Sequence, residues 1–511
     1  MFSKIISAAV LGIEGYVVEV EIHMDQGLPS FHTVGLPDGA VKESKERVTA
    51  ALKNAGFSLP RKRITVNLAP ADIRKEGSAF DLPMAVGILA ASGQIKSQYL
   101  DETVILGELS LDGQVRAVRG GLSISMALRR EQYKRMIIPV ENAKETAMAQ
   151  GLEIHPVETL QEAIDLLESG EGTPFHVDPK AVFNQDGRYG VDFQEVKGQE
   201  HVKRALEVAA AGGHNVLMIG PPGSGKTMLA KRIPTILPEM TLEEALETTQ
   251  IHSVSGLLPP DTALVVTRPF RSPHHTISDA GLIGGGQVPK PGEVSLAHYG
   301  VLFLDELPEF RKNVLEVLRQ PMEDGRVTIS RAALAITFPA AFMLVSAMNP
   351  CPCGYFSSPT HECACTLQQV QRYRARISGP LMDRIDLHVD VPAVKFRELS
   401  EERWGDTSET IRSRVRVSRD RQLHRFRGTG LYCNAHMGSR EIRRFCRIDE
   451  SCDALLGKAI GRLGLSARAY DRILKVGRTI ADLENADTIQ SHHISEAIQY
   501  RSMDRDFSRQ M

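Results

Sequence analysis

The sequence lacks an apolar segment long enough to cross a membrane. A membrane-spanning helix needs about 20 predominantly apolar residues, whereas the longest uncharged run here, 208–225, is interrupted by glycine and proline. A secretion signal is not expected either, because the apolar residues 5–13 run directly into an alternating pattern that contains Glu14, Glu19 and Glu21. These absences predict a cytoplasmic protein with no membrane partner.

The chain also has no excess charge of either sign and no framework of paired cysteines. Its 61 basic and 63 acidic residues nearly cancel, so any surface that binds a polyanion must be local. Aromatic residues make up only 5%, so the cores must be mainly aliphatic. The seven cysteines are odd in number and four of them lie within 351–365, which favours reduced thiols and a metal site over disulfides. The length of 511 residues predicts roughly three domains.

A phosphate-binding loop is the most informative pattern that is present. The apolar run 215–219 predicts a buried strand, and 228–233 predicts a helix. The residues that fit G-x-x-x-x-G-K-[ST] are Gly220, Pro221, Pro222, Gly223, Ser224, Gly225, Lys226 and Thr227. Glycine lets backbone N–H groups approach phosphate oxygens, and the helix N-terminus adds a favourable dipole. We expect Lys226 to bind the β- and γ-phosphates of ATP and Thr227 to bind Mg²⁺.

A second part of the nucleotide site is predicted at 300–306. Four apolar residues there precede Asp305 and Glu306. We expect a buried strand to present Asp305 to Mg²⁺ and Glu306 to the attacking water. An acidic pair after an apolar run is a weak pattern alone, but together with the phosphate loop it predicts an ATPase.

Three further segments resemble parts of AAA+ ATPases. The strand-like run 341–348 ends at Asn349, where the amide of an AAA+ protein orients the attacking water. The segment 379–389 resembles the part that carries an arginine finger, which would be Arg384. The alternative for Arg384 is a surface ion pair with Asp383 or Asp386.

The third segment, 464–472, resembles the second sensor of the same clade and places its arginine at Arg468. An arginine finger completes the nucleotide site of a neighbouring subunit. The resemblance therefore implies a homo-oligomeric ring, a hexamer.

Two insertions resemble those of the AAA+ group that includes replicative MCM helicases and magnesium chelatase. The segment 268–286 resembles the helix-2 insert, and 325–337 predicts the pre-sensor hairpin. In the helicases such loops face the pore and grip the nucleic-acid backbone, where cations act by neutralising phosphates. The candidate DNA-contacting residues are Arg268, Arg271, His274, His275, Arg326 and Arg331. The alternative is that these loops pack against neighbouring subunits.

A cysteine-rich segment, 349–366, follows the first sensor. Its thiols are Cys351, Cys353, Cys363 and Cys365, and four sulfurs in two pairs predict a structural Zn²⁺ site. His361 is a spare ligand. The C-x-C spacing is shorter than the usual C-x₂₋₄-C, which leaves a redox-sensitive thiol cluster as the alternative.

Residues 1–168 predict an α/β domain, since strand-like runs alternate with helical patterns. The segments 74–85 and 107–122 resemble the parts of the Lon protease domain that carry and precede its catalytic residues. Ala79 and Ser123 stand at the nucleophile and lysine positions, so we expect a non-catalytic Lon-like domain. A shifted nucleophile, Ser78, remains open but has no amine base at the matching place. Two roles are open for such a domain, an oligomerisation ring and a DNA-contacting collar.

The remaining boundaries follow from composition. Residues 169–190 predict a linker, 191–395 the AAA+ core and 396–511 an α-helical lid. The part 411–478 carries 17 basic against 6 acidic residues. This local charge is consistent with DNA binding, and equally with a solvated helix face plus arginines that contact ATP.

Nearly all of the chain resembles the ComM/YifB family of magnesium-chelatase-like AAA+ ATPases. The family resemblance implies a bacterial, hexameric helicase that is driven by ATP hydrolysis. It would promote branch migration of three-strand, D-loop-like intermediates during natural transformation. Its partners would be single-stranded and branched DNA, other copies of itself and recombination proteins. The alternative is an AAA+ protein remodeller, either a chelatase-type motor or an unfoldase with a degenerate Lon-like ring.

Overall fold

The computed structural model describes residues 1–96, 98–184, 189–259, 261–286, 288–331, 334–356, 361–394, 405–463 and 466–503. The chain divides into two compact units. Unit 1 comprises Met1–Asp186 and Leu242–Val266, and unit 2 comprises Gly187–Thr241 and Thr267–Met511. Within the described ranges, no helix is both long enough and apolar enough to cross a membrane. The predictions made for 185–188, 332–333, 357–360, 395–404, 464–465 and 504–511 lie outside the described residues.

Strands and helices are numbered in chain order. The strands are β1 (Phe2–Leu11), β2 (Glu14–Asp25), β3 (Ser30–Val34), β4 (Arg63–Ala69), β5 (Thr103–Ile105), β6 (Glu108–Leu109), β7 (Val115–Arg116), β8 (Arg135–Pro139), β9 (Glu153–Val157), β10 (Val216–Ile219), β11 (Phe270–Arg271), β12 (Gly284–Gly285), β13 (Lys290–Pro291), β14 (Val301–Leu304), β15 (Arg326–Arg331), β16 (Leu334–Pro339), β17 (Met343–Met348) and β18 (Leu387–Asp390).

The α-helices follow the same numbering. They are α1 (Gly39–Asn54), α2 (Asp81–Ser92), α3 (Gly121–Arg130), α4 (Ala143–Thr146), α5 (Leu160–Ser169), α6 (Pro179–Phe183), α7 (Glu200–Gly212), α8 (Lys226–Ile236), α9 (Leu242–Ser255), α10 (Asp279–Ile283), α11 (Glu293–Leu296), α12 (Lys312–Glu316), α13 (Arg319–Asp324), α14 (Leu367–Arg374), α15 (Gly379–Met382), α16 (Ser408–Arg425), α17 (Ser439–Phe445), α18 (Glu450–Leu463), α19 (Ala467–Leu483) and α20 (Ser491–Gln499).

Unit 1 is an α/β unit built on a mixed sheet with the strand order β3-β4-β2-β1-β5-β8-β9. Strands β1 and β2 pair antiparallel over their full length. Val18, Val20 and Ile22 are buried on one face of β2, which is why its period-two pattern predicts a strand. Helix α1 begins where the sequence predicts, since the Asp38 side chain accepts a hydrogen bond from the Val41 backbone N–H at 2.8 Å.

One helix of unit 1 comes from a distant part of the chain. The segment Leu242–Val266, which contains α9, is predicted to lie within the motor but belongs to unit 1. There the Ser253 hydroxyl donates to the buried Glu145 carboxylate at 2.6 Å, and Lys144 pairs with Asp261 at 2.9 Å. A helical pattern predicts which face of a helix is apolar, but not which core buries that face. The structure therefore places this segment in unit 1, whereas the predicted boundaries place it in the AAA+ core.

Unit 2 contains a fully parallel sheet with the order β11-β14-β17-β10-β18. The predicted lid, α16 to α20, shares one hydrophobic core with this sheet. Val216 of β10 and Phe303 of β14 belong to the same buried cluster as Ile473 and Leu474 of α19. The lid is therefore part of the motor's own core.

Candidate nucleotide-hydrolysis site and cysteine cluster

Three neighbouring strands of unit 2 bring the predicted catalytic residues together. The phosphate loop follows β10, Asp305 follows β14, and Asn349 follows β17. These strands are parallel and adjacent in the sheet. The carboxyl ends of parallel strands meet at one edge, where ligands of open α/β sheets bind. Strand order thus assembles one site from residues up to 129 positions apart in the chain.

The backbone of the phosphate loop requires the glycines that its pattern contains. Gly223 and Gly225 have φ angles of 73° and 87°, in the left-handed region that L side chains rarely adopt. A Cβ on Gly220 would lie 2.1 Å from the carbonyl oxygen of Val391. Helix α8 then begins at Lys226, so the loop ends at a helix N-terminus with free backbone N–H groups.

Lys226 is held inside the loop by several acceptors. Its Nζ lies 2.8 Å from the Gly220 oxygen, 2.9 Å from the Pro221 oxygen and 3.3 Å from Asn349 Oδ1. Burial lowers the pKa of Lys226, and the carboxylate of Asp305 opposes this. The contact with Asn349 joins the phosphate loop directly to the first sensor.

Thr227 and Asp305 form the pair expected to bind Mg²⁺. The Thr227 hydroxyl donates to Asp305 Oδ2 at 2.7 Å. A hydroxyl and a carboxylate are hard oxygen donors of the kind that Mg²⁺ takes alongside substrate phosphates. The donor chemistry of these two residues therefore fits this ion.

Glu306, the predicted base, has an unusual backbone conformation. Its φ angle is 53°, which is uncommon for a residue with a side chain and occurs often at functional sites. Its carboxylate Oε2 lies 3.3 Å from Nδ1 of His275. The structure thus places the ring of His275, a predicted DNA-contacting residue, beside the Glu306 carboxylate, and its contact with DNA stays a prediction.

Gln199 contacts the phosphate loop, although no sequence pattern predicts this contact. Its side-chain N–H donates to the Ser224 oxygen at 3.0 Å and to the Pro392 oxygen at 2.7 Å. It therefore ties the phosphate loop to the segment after β18. Its left-handed φ angle of 55° depends on tertiary packing, and a lone glutamine before a helix gives no signal of this role.

The predicted arginine finger, Arg384, and the predicted second-sensor arginine, Arg468, lie elsewhere in unit 2. Arg384 is 7% exposed, donates to the Pro380 oxygen at 2.7 Å and pairs with Glu323 of α13. Arg468 is largely exposed, with Nη1 3.8 Å from Asp383. Among the described residues, the partners of both arginines are outside the phosphate loop of their own chain.

The alternative partner Asp386 is engaged in a different network. It accepts from Nδ1 of His214 at 3.1 Å and pairs with Arg472 of α19. Burial opposes ionisation, but Arg472 and His214 hold the pKa of Asp386 well below its usual range. This buried pair connects the start of β18 to the helical lid, and it leaves Glu323 as the carboxylate beside Arg384.

The four predicted zinc ligands converge. The sulfurs of Cys351, Cys353 and Cys363 lie 3.3 to 3.7 Å apart, and that of Cys365 completes a group within 4.8 Å. A tetrahedron with Zn–S bonds of about 2.3 Å has edges of about 3.8 Å. The spacing therefore fits a closed Zn²⁺ site. The spare ligand His361 stacks on Tyr355 with ring centroids 4.7 Å apart, outside this group.

The cysteine cluster adjoins the nucleotide site. Cys351 follows Asn349 by two residues. At Gly354, whose φ angle is 88°, a Cβ would lie 2.5 Å from Cδ of Pro222 in the phosphate loop. A metal that fixes this turn would also restrain both Asn349 and the loop.

We expect the purified chain to contain about one zinc ion and the Cys351→Ser/Cys363→Ser variant to contain none, because two thiolates cannot complete a tetrahedral site. Metal analysis of gel-filtered protein measures this directly. Cys446→Ser is the matched control, since Cys446 is a buried thiol outside the cluster. Zinc-free parent protein with normal folding would contradict the assignment.

Apart from His275, the predicted DNA-contacting residues divide into two groups. Arg268 donates to the oxygens of Tyr299 at 2.7 Å and Glu239 at 3.0 Å, and Arg271 forms a two-bond ion pair with Glu293. These internal contacts favour a structural role for both arginines. The exposed members are His274, on the insert, and Arg326 and Arg331, on the β15–β16 hairpin.

The residues at the Lon-like catalytic positions form no serine–lysine pair. The Ser78 hydroxyl donates to the carboxylate of Glu108. Ser123, at the predicted lysine position, is buried in α3 at 2% exposure. These contacts agree with the expectation of a non-catalytic domain, which remains a prediction.

Comparison with family models connects this architecture to magnesium chelatase. The model described as magnesium chelatase, subunit ChlI, matches residues 192–399, and the model for the C-terminal part of that subunit matches 405–501. A third model, subunit ChlI of Mg-chelatase, matches residues 20–142. A chelatase model thus covers the region that resembles the Lon domain.

Two of the relatives match almost the full length of this chain. The competence protein ComM of Haemophilus influenzae is 45% identical over 98% of this chain and 97% of its own length. The YifB protein of Escherichia coli is 43% identical over 97% of this chain and 96% of its own. The magnesium-chelatase 38 kDa subunit of Rhodobacter capsulatus is 29% identical over only 31% of this chain. The chain belongs to the ComM/YifB family of magnesium-chelatase-like AAA+ ATPases.

Proposed function

We propose that this chain is an ATP-dependent, hexameric DNA translocase that promotes branch migration of three-strand intermediates during DNA uptake and natural transformation. The observation that carries the proposal is the β15–β16 hairpin. It presents Arg326 and Arg331 to solvent, and only residues 340–342 separate it from β17, which Asn349 directly follows. A movement at the hydrolysis site would therefore be transmitted through β17 and residues 340–342 to the exposed arginines of the hairpin. The name of the Haemophilus relative, a competence protein, supports the same biological setting.

In this proposal the residues of one chain form most of the hydrolytic site. Lys226 neutralises phosphate charge, and Thr227 and Asp305 hold Mg²⁺, which stabilises charge on the transferred phosphoryl group. Glu306 takes the proton of the attacking water. Asn349, already in contact with Lys226, orients that water.

A neighbouring chain completes the site. Arg384 would stabilise the transition-state charge as a guanidinium supplied in trans, and Arg468 would report the nucleotide state to the lid. Since Arg384 is paired with Glu323 in a single chain, assembly would exchange this carboxylate for phosphate oxygens. Six such interfaces would hydrolyse ATP around a ring.

The exposed cations would grip DNA without reading its sequence. Arg326, Arg331 and His274 act by neutralising backbone phosphates, which gives binding that weakens with salt. In β15, Val327 and Ile329 are buried while Arg326, Thr328 and Ser330 are exposed. The hairpin is thus anchored on one face and polar on the other.

The second candidate is a motor that remodels a partner protein. It is favoured by the chelatase models, which match three parts of this chain. ATP turnover separates the two candidates when it is measured alone, with single-stranded, duplex or forked DNA, and with a denatured protein. The translocase proposal expects single-stranded and forked DNA to raise kcat. Stimulation by denatured protein, with no response to DNA, would contradict it.

The variant Arg326→Ala/Arg331→Ala tests the hairpin within the same assay. We expect unchanged turnover without DNA and loss of the DNA response, because the hydrolytic residues remain intact. The slope of log Kd against log salt should fall by about 0.7 for each lost contact to a single strand. Arg130→Ala, an exposed arginine of α3 in unit 1, is the matched control.

A further inference from the structure

The helical part of unit 2 contains a basic cavity that the proposed motor does not use. Its volume is about 860 Å³, and it is lined by α16, α17, Arg447, α19 and residues 487–488. Five arginines line the cavity together with the carboxylates of Asp420 and Asp487. None of the residues that line the cavity belongs to the phosphate loop, the hairpin or the cysteine cluster.

The positive charge of this cavity is incompletely neutralised. Arg425 and Arg478 share a single buried carboxylate, that of Asp482, with nitrogen–oxygen distances of 2.8 and 3.1 Å. Arg421 pairs with Asp487 at 2.7 Å, but Asp487 is 95% exposed, where ion pairs contribute little. Two guanidinium groups on one carboxylate leave a net positive charge facing the cavity.

The rim adds two arginines that have no acidic partner among the described residues. Arg444 and Arg447 are exposed, and the guanidinium of Arg444 lies over the ring of Phe445 at 4.8 Å. An arginine fork held on an aromatic face is pre-oriented to bind phosphate oxygens through two parallel hydrogen bonds.

Arg478 is a largely buried arginine of the cavity lining. It is 3% exposed, and its Nη1 and Nη2 donate to the backbone oxygens of Asp487 at 2.8 Å and Ala486 at 2.5 Å. These bonds hold its charge in a fixed position beside the cavity.

The arrangement of the cations favours a chain of phosphates over a single one. Arg421 and Arg425 are four residues apart on α16, so they follow one another along a helix face about 5–6 Å apart. Arg444 and Arg447 line the same cavity. We propose that this cavity binds the sugar–phosphate backbone of a DNA strand, as a second DNA site beside the hairpin. This inference rests on the proposed function, since the bound polymer is the strand that the motor displaces.

The test compares Arg444→Ala/Arg447→Ala with Arg440→Ala/Arg443→Ala in the full chain. The control arginines are exposed on α17, the helix that also carries Arg444, but they do not line the cavity. Fluorescence anisotropy measures binding of a forked DNA with a single-stranded arm, with a non-hydrolysable ATP analogue present, at several salt concentrations. The cavity variant should bind the fork at least about 10-fold more weakly. The slope of its log Kd against log salt concentration should fall by about 1.4, which is about 0.7 for each of the two lost contacts. Turnover without DNA should match the parent.

Two outcomes overturn the inference in distinguishable ways. If the parent binds the fork and the cavity variant binds it equally well, the second site is wrong while the proposed function stands. If the parent neither binds DNA nor responds to it in ATP turnover, both fail together. Titration with pyrophosphate is the third arm. Loss of pyrophosphate binding in the cavity variant, with fork binding unchanged, would identify a small-anion site and exclude the strand.

Discussion

Glu306→Gln is expected to lower the kcat of ATP hydrolysis by about 10²- to 10⁴-fold, the usual contribution of a positioned general base. The substitution keeps the shape of the side chain but removes the carboxylate that would take a proton from water. ATP binding should change little, because Lys226, Thr227 and Asp305 remain in place. Steady-state turnover and the binding of a fluorescent ATP analogue measure the two effects separately.

Glu309→Gln is the matched control for this prediction. Glu309 lies three residues away and forms a surface ion pair with Arg376 at 2.7 Å. Its loss should leave kcat within about twofold, because exposed ion pairs contribute little. Equal losses in both variants would point to a folding effect. Unchanged turnover in Glu306→Gln would exclude Glu306 as the base.

Arg384→Ala is expected to lower kcat by about 10³- to 10⁵-fold, the range for an arginine that stabilises phosphoryl transfer from a neighbouring subunit. Arg384→Lys should also be slow, since a lysine cannot reproduce the planar fork. Binding of the ATP analogue should persist in both variants. Turnover measured with assembled protein gives the effect.

A mixing experiment shows whether Arg384 acts in trans. Lys226→Ala inactivates its own nucleotide site but still supplies Arg384, whereas Arg384→Ala retains an intact phosphate loop. Mixed rings therefore contain some complete interfaces and should be more active than either variant alone. If the mixture shows only the sum of the separate activities, Arg384 does not complete a neighbour's site. Glu323→Gln, which removes the partner of Arg384 in the single chain, should keep the activity.

The nucleotide site could be located from the sequence because its signals are short-range. The phosphate loop needs only the spacing of its glycines around a strand and a helix, and the structure gives Gly223 and Gly225 the left-handed φ angles that explain this spacing. Asp305 and Asn349 each end an apolar run, so their strands were recognisable. Convergence of these ends then follows from a parallel sheet.

The contacts around that site could not be predicted in the same way. Gln199 contacts Ser224 and Pro392, and His275 contacts Glu306. These residues are far apart in the sequence, and only the fold brings them together. An arginine in a flexible, basic insert has the same sequence signature whether it binds DNA or a carboxylate. Only the folded chain shows that Arg271 is paired with Glu293.

The sequence by itself determined the chemistry of this protein: a phosphate loop, an acidic hydrolysis pair, four clustered thiols and the family. Local spacing encodes these features, and each needs only a few neighbouring residues. The tertiary structure alone decided that Leu242–Val266 belongs to unit 1, that the lid shares the motor's core, and that Arg384 is bound by Glu323. These outcomes depend on which surfaces bury each other, and that choice is made by packing between residues far apart in the chain.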